Sequence, residues 1–79
     1  MADATDRVAL LKIRLENAMF RHRSWNNGAK KWRKEAKRWT PGTKQWTRAM
    51  DQVDECEERA AEEWRKVMET IEALKTAAA

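Results

Sequence analysis

Two stretches of this chain repeat apolar or small residues in alternating steps of three and four, and this period constrains the fold most. In the first stretch the repeating positions are Val8, Leu11, Leu15, Ala18, His22, Trp25, Ala29, Trp32, Ala36 and Trp39. In the second they are Trp46, Met50, Val53, Glu57, Ala60, Trp64, Val67, Ile71 and Leu74. An average spacing of about 3.5 residues is typical of helices packed side by side. The pattern therefore predicts two long helices that meet along one seam.

A break separates the two stretches at Thr40-Pro41-Gly42-Thr43. Proline disfavours helical geometry in the residue before it, and glycine tolerates the backbone angles of a turn. Thr43 can cap the second helix, although Thr40 followed by Pro41 as the first helical residue is a competing start. The chain is therefore expected to fold back on itself at this point.

The predicted fold is all-α, an antiparallel and coiled-coil-like helical hairpin that forms a single domain over residues 1–79. Arm one covers about 4–39, the turn covers 40–43, and arm two covers about 44–77. Asp3 and Asp6 are expected to cap the first arm and to place negative charge in its first turn. Only two glycines and one proline interrupt a composition rich in helix formers. Helical packing into a larger bundle is expected because a chain of this length buries little apolar surface alone.

Asn26-Asn27-Gly28 is the main challenge to a continuous first arm, because these residue types favour turns. They could kink the arm or split it into helices over 4–25 and 29–39. The three-four period passes through them in phase, which favours a continuous or kinked helix. Both alternatives remain open at this point.

Folding the chain back about the turn sets which residues face each other, for example Trp32 with Val53 and Leu11 with Leu74. The same register places basic side chains of arm one near acidic side chains of arm two. These pairs are Lys34 with Asp51, Lys30 and Lys31 with Asp54 and Glu55, and Arg23 with Glu62. Glu57, which falls within the apolar stripe, would be costly without a partner, so it is expected either to pair with Lys30 or Lys31 or to set the register of the two helices.

Charge is distributed unevenly between the two arms. Residues 1–41 carry eleven basic and four acidic side chains, whereas residues 42–79 carry six basic and nine acidic ones. The basic residues are densest around the turn, where they could contact phosphates or an acidic protein partner. These candidates are Lys30, Lys31, Arg33, Lys34, Lys37, Arg38, Lys44 and Arg48. Of these, Lys37, Arg38, Lys44 and Arg48 have no opposing acid in the predicted register, and a solvated charged end is the alternative reading of the whole cluster.

Four of the tryptophans, at positions 25, 32, 39 and 46, are spaced by seven residues. Such an aromatic stripe could form a platform for a ligand, with exposed indoles available for base stacking. Seven residues is two helical turns, however, and an aromatic stripe of this kind is usually core. We therefore expect these indoles to hold the two arms together.

Arm one carries a second apolar face made of Leu10, Ile13 and Phe20, away from its seam. Three large apolar groups on one helix indicate a dimer or partner interface. A four-helix dimer of hairpins would bury this face together with edges contributed by Cys56, Ala61 and Met68. The alternative is packing against a short third element or against Ala77-Ala78-Ala79.

Catalytic chemistry is not expected from this sequence. It has one histidine, one cysteine and no glycine-rich phosphate loop, so we predict no enzyme activity, cofactor, metal site or small-molecule substrate. His22, expected opposite Glu63 and Trp64, is either a pH-sensitive residue or a partly buried histidine beside a carboxylate.

The longest apolar run, residues 8–11, is far too short for a membrane span, and no secretory signal is evident. A single cysteine fits a reducing compartment, so a cytoplasmic protein, free or within a larger particle assembled there, is expected. The sequence resembles bacterial or phage accessory proteins in its compactness and its alanine and tryptophan content.

Two functions follow from these features as predictions. The first is a small interaction or assembly protein that self-associates or docks on a larger protein complex through helical faces. The second is a nucleic-acid-binding accessory protein that uses the basic, tryptophan-containing end near the turn.

Overall fold

A computed structural model describes residues 4–78 and contains two helices that pack antiparallel along their length. Helix α1 spans Ala4–Ala36 and helix α2 spans Lys44–Ala78. The Cα trace is a rod with extents of 58 × 17 × 13 Å. This confirms the predicted all-α helical hairpin. Asp3, predicted to cap the first helix, lies outside the described residues.

Helix α1 passes through Asn26-Asn27-Gly28 without a break, so the arrangement with separate helices over 4–25 and 29–39 is wrong. The Asn26 side chain donates a hydrogen bond to His22 Nε2 one turn earlier, at 3.0 Å, instead of bonding to a turn of the backbone. Gly28 allows α1 to pack closely against α2. A Cβ added at this position would lie 3.1 Å from Cys56 Sγ on α2.

This contact predicts that Gly28→Ala destabilises the hairpin by about 1 kcal/mol, because Cys56 is buried and its sulfur has little room to move. In a Cys56→Ala background the same change is expected to stabilise by about 1 kcal/mol, since alanine is the better helix former. Urea unfolding followed by circular dichroism measures both values. A stabilising Gly28→Ala in the presence of Cys56 would contradict the tight contact.

Helix α1 ends at Ala36, three residues before the predicted bound at 39. The backbone tightens there, because the N–H groups of Arg38 and Trp39 donate to the carbonyls three residues back, at 3.1 Å in each case. Thr40 precedes Pro41, which further disfavours a continued α-helix. The connection is therefore longer than predicted and covers residues 37–43.

Thr43, and not Thr40, caps the second helix. Its hydroxyl accepts a hydrogen bond from the Trp46 N–H at 3.3 Å and donates one to the Thr40 carbonyl at 2.8 Å. Gly42 has φ of +92°, a left-handed conformation that favours glycine. These bonds fix the entry of the chain into α2 and the position of Trp46.

The core between the helices is built mainly from small side chains. Its buried apolar members are Leu11, Ala18, Ala29, Ala36, Ala49, Val53, Cys56, Ala60 and Val67. Alanine at so many positions leaves little space for indoles between the helices. The tryptophans accordingly lie along the edges of the seam: Trp25 and Trp46 are half-buried, and Trp32, Trp39 and Trp64 are exposed. The expectation that they form the core is thus met only in part.

The buried stripe of α2 differs from the predicted one at three positions. Ala49, Cys56 and Glu63 are buried, whereas of the residues that follow them Met50 is half-buried and Glu57 and Trp64 are exposed. Val53, Ala60 and Val67 belong to both the predicted and the observed stripe, so the register of α2 is otherwise as predicted. Trp64 is too large for this narrow seam and packs at its edge instead.

Within the described residues, neither helix contains a segment long and apolar enough to cross a membrane.

Candidate functional site

Glu63 is the one charged side chain that is buried within residues 5–78. Its carboxylate accepts a hydrogen bond from Arg21 Nε at 3.0 Å and one from Lys66 Nζ at 3.3 Å. Burial by itself raises the pKa of Glu63, but the hydrogen bonds and positive charges of Arg21 and Lys66 outweigh it, so that the pKa lies below its ordinary value of 4.5. This cluster joins the two helices and serves their packing.

The second ion pair between the helices joins Arg33 and Glu57. The prediction that Lys30 or Lys31 pairs with Glu57 is therefore wrong, because Glu57 lies on the edge of α2 that faces Arg33. Arg38, predicted to lack an acidic partner, pairs with Glu35 at 3.4 Å within its own segment. Both arginines are thus partly neutralised.

The other predicted pairs between the arms do not form within the described part of the chain. They are Lys34 with Asp51, Lys30 and Lys31 with Asp54 and Glu55, and Arg23 with Glu62. The helical period places most of these acids on the outer face of α2, away from the seam. The basic charge of α1 is consequently less compensated than the sequence suggested.

A groove of about 390 Å³ lies beside the turn, and we call it the turn groove. Its apolar walls include two indoles and a proline ring, and two basic residues stand at its margin. The lining residues are Arg33, Ala36, Lys37, Trp39, Pro41, Trp46 and Met50. Trp39, which is 41% exposed, presents an indole to this space.

A second groove of about 250 Å³ lies nearer the middle of the hairpin, and we call it the central groove. It is lined by Met19, His22, Arg23, Asn26, Asn27, Lys30 and Trp64. The His22 and Trp64 rings lie 5.1 Å apart between centroids, at 42° to each other. Trp64 is half exposed, so its indole is accessible from this groove.

Hydrogen bonds fix the His22 ring at the floor of the central groove. Its Nδ1–H donates to the Ala60 carbonyl at 2.9 Å, and its Nε2 accepts from the Asn26 amide. This pattern requires the tautomer with the proton on Nδ1. The predicted contact with Trp64 is present, whereas Glu63 binds Arg21 and Lys66 instead.

The two grooves open on the same side of the hairpin. Arg23 and Lys30 line the central groove, and Lys37 lines the turn groove. Arg23 and Lys30 are spaced by seven residues, or two turns, and therefore follow one edge of α1, roughly 10 Å apart. Lys37 comes directly after α1, and its N–H still donates to the Arg33 carbonyl at 3.2 Å, so it continues the same row. We call this row the basic edge.

The opposite side of the hairpin carries a different set of residues. Arg59 lies over the Trp25 ring at 5.7 Å from its centroid. Trp32 lines a further groove of about 480 Å³ with Arg48, Asp51 and Gln52. Of the eight basic residues predicted as a site, Lys30, Arg33 and Lys37 are thus on one side and Arg48 is on the other. The helical period places Lys31 on the outer face of α1 and Lys34 one turn from Lys30, next to the basic edge. Arg38 is exposed in the connection, and Lys44 is exposed at the start of α2.

The predicted apolar face of α1 is exposed to solvent. Leu10, Ile13 and Phe20 are 50%, 54% and 67% exposed. Ala61 and Met68 are also exposed, but Cys56 is buried against Gly28 inside the hairpin. The prediction that Cys56 contributes to a dimer edge is therefore wrong, because Cys56 occupies the seam position that was predicted for Glu57.

Several residues that line the grooves were not among the predicted site residues, and Arg23, Met19 and Trp64 are examples. The spacing of Arg23, Lys30 and Lys37 by seven was visible in the sequence and could have identified the basic edge. Trp64 could not be identified as a groove residue from its spacing, because it falls on the three-four repeat that predicts core positions.

Comparisons of this chain with protein-family models, with curated proteins and with solved structures found no match.

Proposed function

We propose that this protein is a small, non-enzymatic interaction protein that uses the apolar face of α1, formed by Leu10, Ile13 and Phe20, to self-associate or to dock on a larger protein complex. The observation that carries this proposal is the exposure of all three side chains. Phe20 is the most exposed large apolar residue in the described part of the chain.

The position of this face supports an intermolecular role. Leu10 and Ile13 are one turn apart and Phe20 lies two turns beyond Ile13, so the three follow the outer surface of α1. The hairpin itself packs through the opposite surface of α1, at Leu11 and Ala18. Each of the three side chains keeps half or more of its surface exposed, so most of the apolar face is not used in the packing of α1 on α2.

The free energy gained by burying these side chains favours association of this face with a helical partner. Full burial of each side chain is worth roughly 1.5–3 kcal/mol. The exposed charged residues Arg14 and Glu16 flank the three apolar groups, and Asn17 lies between Ile13 and Phe20. An apolar centre with a polar rim is the usual arrangement of a protein interface. Because the core of the hairpin consists largely of alanine, a second copy would also add apolar surface that the monomer lacks.

The test is the combined substitution Leu10→Lys and Phe20→Lys. Sedimentation velocity over a range of concentrations is expected to show an oligomer for the wild-type chain and a monomer for the variant, because two ammonium groups cannot be buried at an apolar contact. Circular dichroism should show equal helix content, since both positions are on the solvent face.

The matched control is Gln45→Lys with Gln52→Lys, which adds the same charge at two exposed polar positions of α2. It should sediment like the wild type. A wild-type monomer at every concentration, with the same co-purifying proteins captured by wild type and by the Leu10→Lys/Phe20→Lys variant, would contradict the proposal.

A further inference from the structure

We infer that the side of the hairpin bearing the basic edge binds single-stranded nucleic acid, with phosphates along Arg23, Lys30 and Lys37 and bases in the turn groove and the central groove. This site is separate from the apolar face of α1, which lies on the outer surface of that helix.

Charge is the first argument. Arg23, Lys30 and Lys37 are exposed, and none of them forms an ion pair with an acidic side chain within the described residues. They contrast with Arg21, Arg33 and Arg38, which all have carboxylate partners. Since these cations have no internal partner, they are free to neutralise an external polyanion.

The grooves themselves are complementary to an anion. Thirteen acidic residues occur in the chain, yet among residues 5–78 neither groove includes an acidic side chain in its lining. The turn groove contains Arg33 and Lys37, and the central groove contains Arg23 and Lys30. Because Arg33 is paired with Glu57, the positive charge of this side comes mainly from Arg23, Lys30 and Lys37.

Aromatic rings supply the second argument. Trp39 and Trp46 line the turn groove, and Trp64 lines the central groove. The face of an indole stacks with any nucleobase, at a gain of about 1–3 kcal/mol per base. Since Trp39 and Trp64 are exposed in the free chain, stacking would cover apolar surface that the hairpin leaves in water.

The site is ordered before any ligand binds. The Thr43 cap holds Trp46 at the start of α2, and the Trp39 N–H is bonded to the Ala36 carbonyl. In the central groove, the His22 ring that lies against Trp64 is fixed by Ala60 and Asn26. A preformed site loses less entropy on binding.

Geometry favours a single strand over a duplex or an acidic protein. From Arg23 to Lys37 the basic edge is roughly 21 Å long, a length suited to a few nucleotides. A duplex keeps its bases stacked within the helix, so it would contact the cations and leave the indoles unused. An acidic helix would likewise pair with the cations but has no planar groups for the indole faces.

The probe for the test is a fluorescein-labelled oligothymidylate of about 20 nucleotides, titrated with the wild-type chain at about 50 mM salt. Fluorescence anisotropy should show binding that weakens as salt rises, because counterions are released. Tryptophan fluorescence should fall on binding because bases stack on the indoles.

Two matched pairs of variants locate the site. Lys30→Gln with Lys37→Gln should weaken binding about tenfold and reduce the salt slope by about 1.4. Lys31→Gln with Arg48→Gln removes the same charge from the outer face of α1 and from the opposite side of the hairpin, and should change affinity much less. Trp39→Leu should weaken binding severalfold, whereas Trp32→Leu, a similarly exposed indole on the other side, should not.

Several results would overturn the inference. These are no binding at low salt, an equal loss of affinity in the two pairs of charge variants, an equal effect of Trp39→Leu and Trp32→Leu, tighter binding of a duplex of the same length, or displacement of the oligonucleotide by an equal concentration of polyglutamate. Circular dichroism verifies that each variant is folded. The interpretation is independent of self-association, since none of these substitutions touches Leu10, Ile13 or Phe20.

Discussion

Replacing Val67 with aspartate is expected to unfold the hairpin at room temperature. Val67 is one of the two largest fully buried side chains, with 1% of its surface exposed. Placing an unpaired carboxylate there costs about 3–5 kcal/mol, a large fraction of the stability of a small domain. The measurement is the helical circular dichroism signal, together with the urea midpoint if a transition remains.

The neighbouring substitution Met68→Asp is the control, because Met68 is 44% exposed and the new carboxylate would remain in water. It should cost less than about 1 kcal/mol. Equal destabilisation by the two substitutions would show that Val67 does not lie in the seam.

Substituting Arg21 by methionine is expected to destabilise the hairpin by about 2 kcal/mol at neutral pH, because it leaves the buried carboxylate of Glu63 with Lys66 as its only cationic partner. The value is below that of a fully buried pair, since about half of the Arg21 side chain is exposed. Adding Glu63→Leu should recover most of the loss, because no buried charge then remains. Urea unfolding of the single and double variants measures both effects.

The same pair has a pH dependence of definite sign. In the wild type the pKa of Glu63 is lowered by Arg21 and Lys66, so its contribution to stability is present above pH 4.5 and is lost as the pH falls through the lower folded-state value. In Arg21→Met one of the lowering partners is gone while burial still raises the pKa. The stabilities of wild type and variant should therefore converge as the pH falls below about 4.5.

Arg23→Met is the control for both experiments, because Arg23 is exposed and has no ion pair in the described part of the chain. It should be close to neutral at every pH. A loss in Arg23→Met as large as that in Arg21→Met would indicate a general charge effect and not a specific pair.

The general architecture could be predicted from the sequence because two local signals agree. The three-four period identified two helices, and Pro41 with Gly42 placed the turn between them. The burial of Glu63 in place of Trp64 could not be predicted, because polarity alone ranks tryptophan as the better core residue. Which of the two residues is buried depends on the distance between the helices. That distance is set jointly by alanines that are far apart in the sequence.

The candidate site was predictable to a similar extent. Lys30 and Lys37 were recognised as basic residues near the turn, but the division of the eight cations between two sides and an outer face required the register of the hairpin. Gly28 illustrates the same limit. Its neighbours indicate a turn, yet its role is to admit the sulfur of a residue on the other helix.

The narrow alanine seam has a practical consequence, because it moves all five tryptophans to the edges of the rod, where they act as intrinsic optical reporters. Trp25 and Trp32 report on one side, and Trp39, Trp46 and Trp64 report on the other. The outer surface of α1 carries none of them. A ligand in the grooves should thus alter indole emission, whereas association through Leu10, Ile13 and Phe20 should leave it nearly unchanged, so that one fluorescence spectrum distinguishes the two modes of binding.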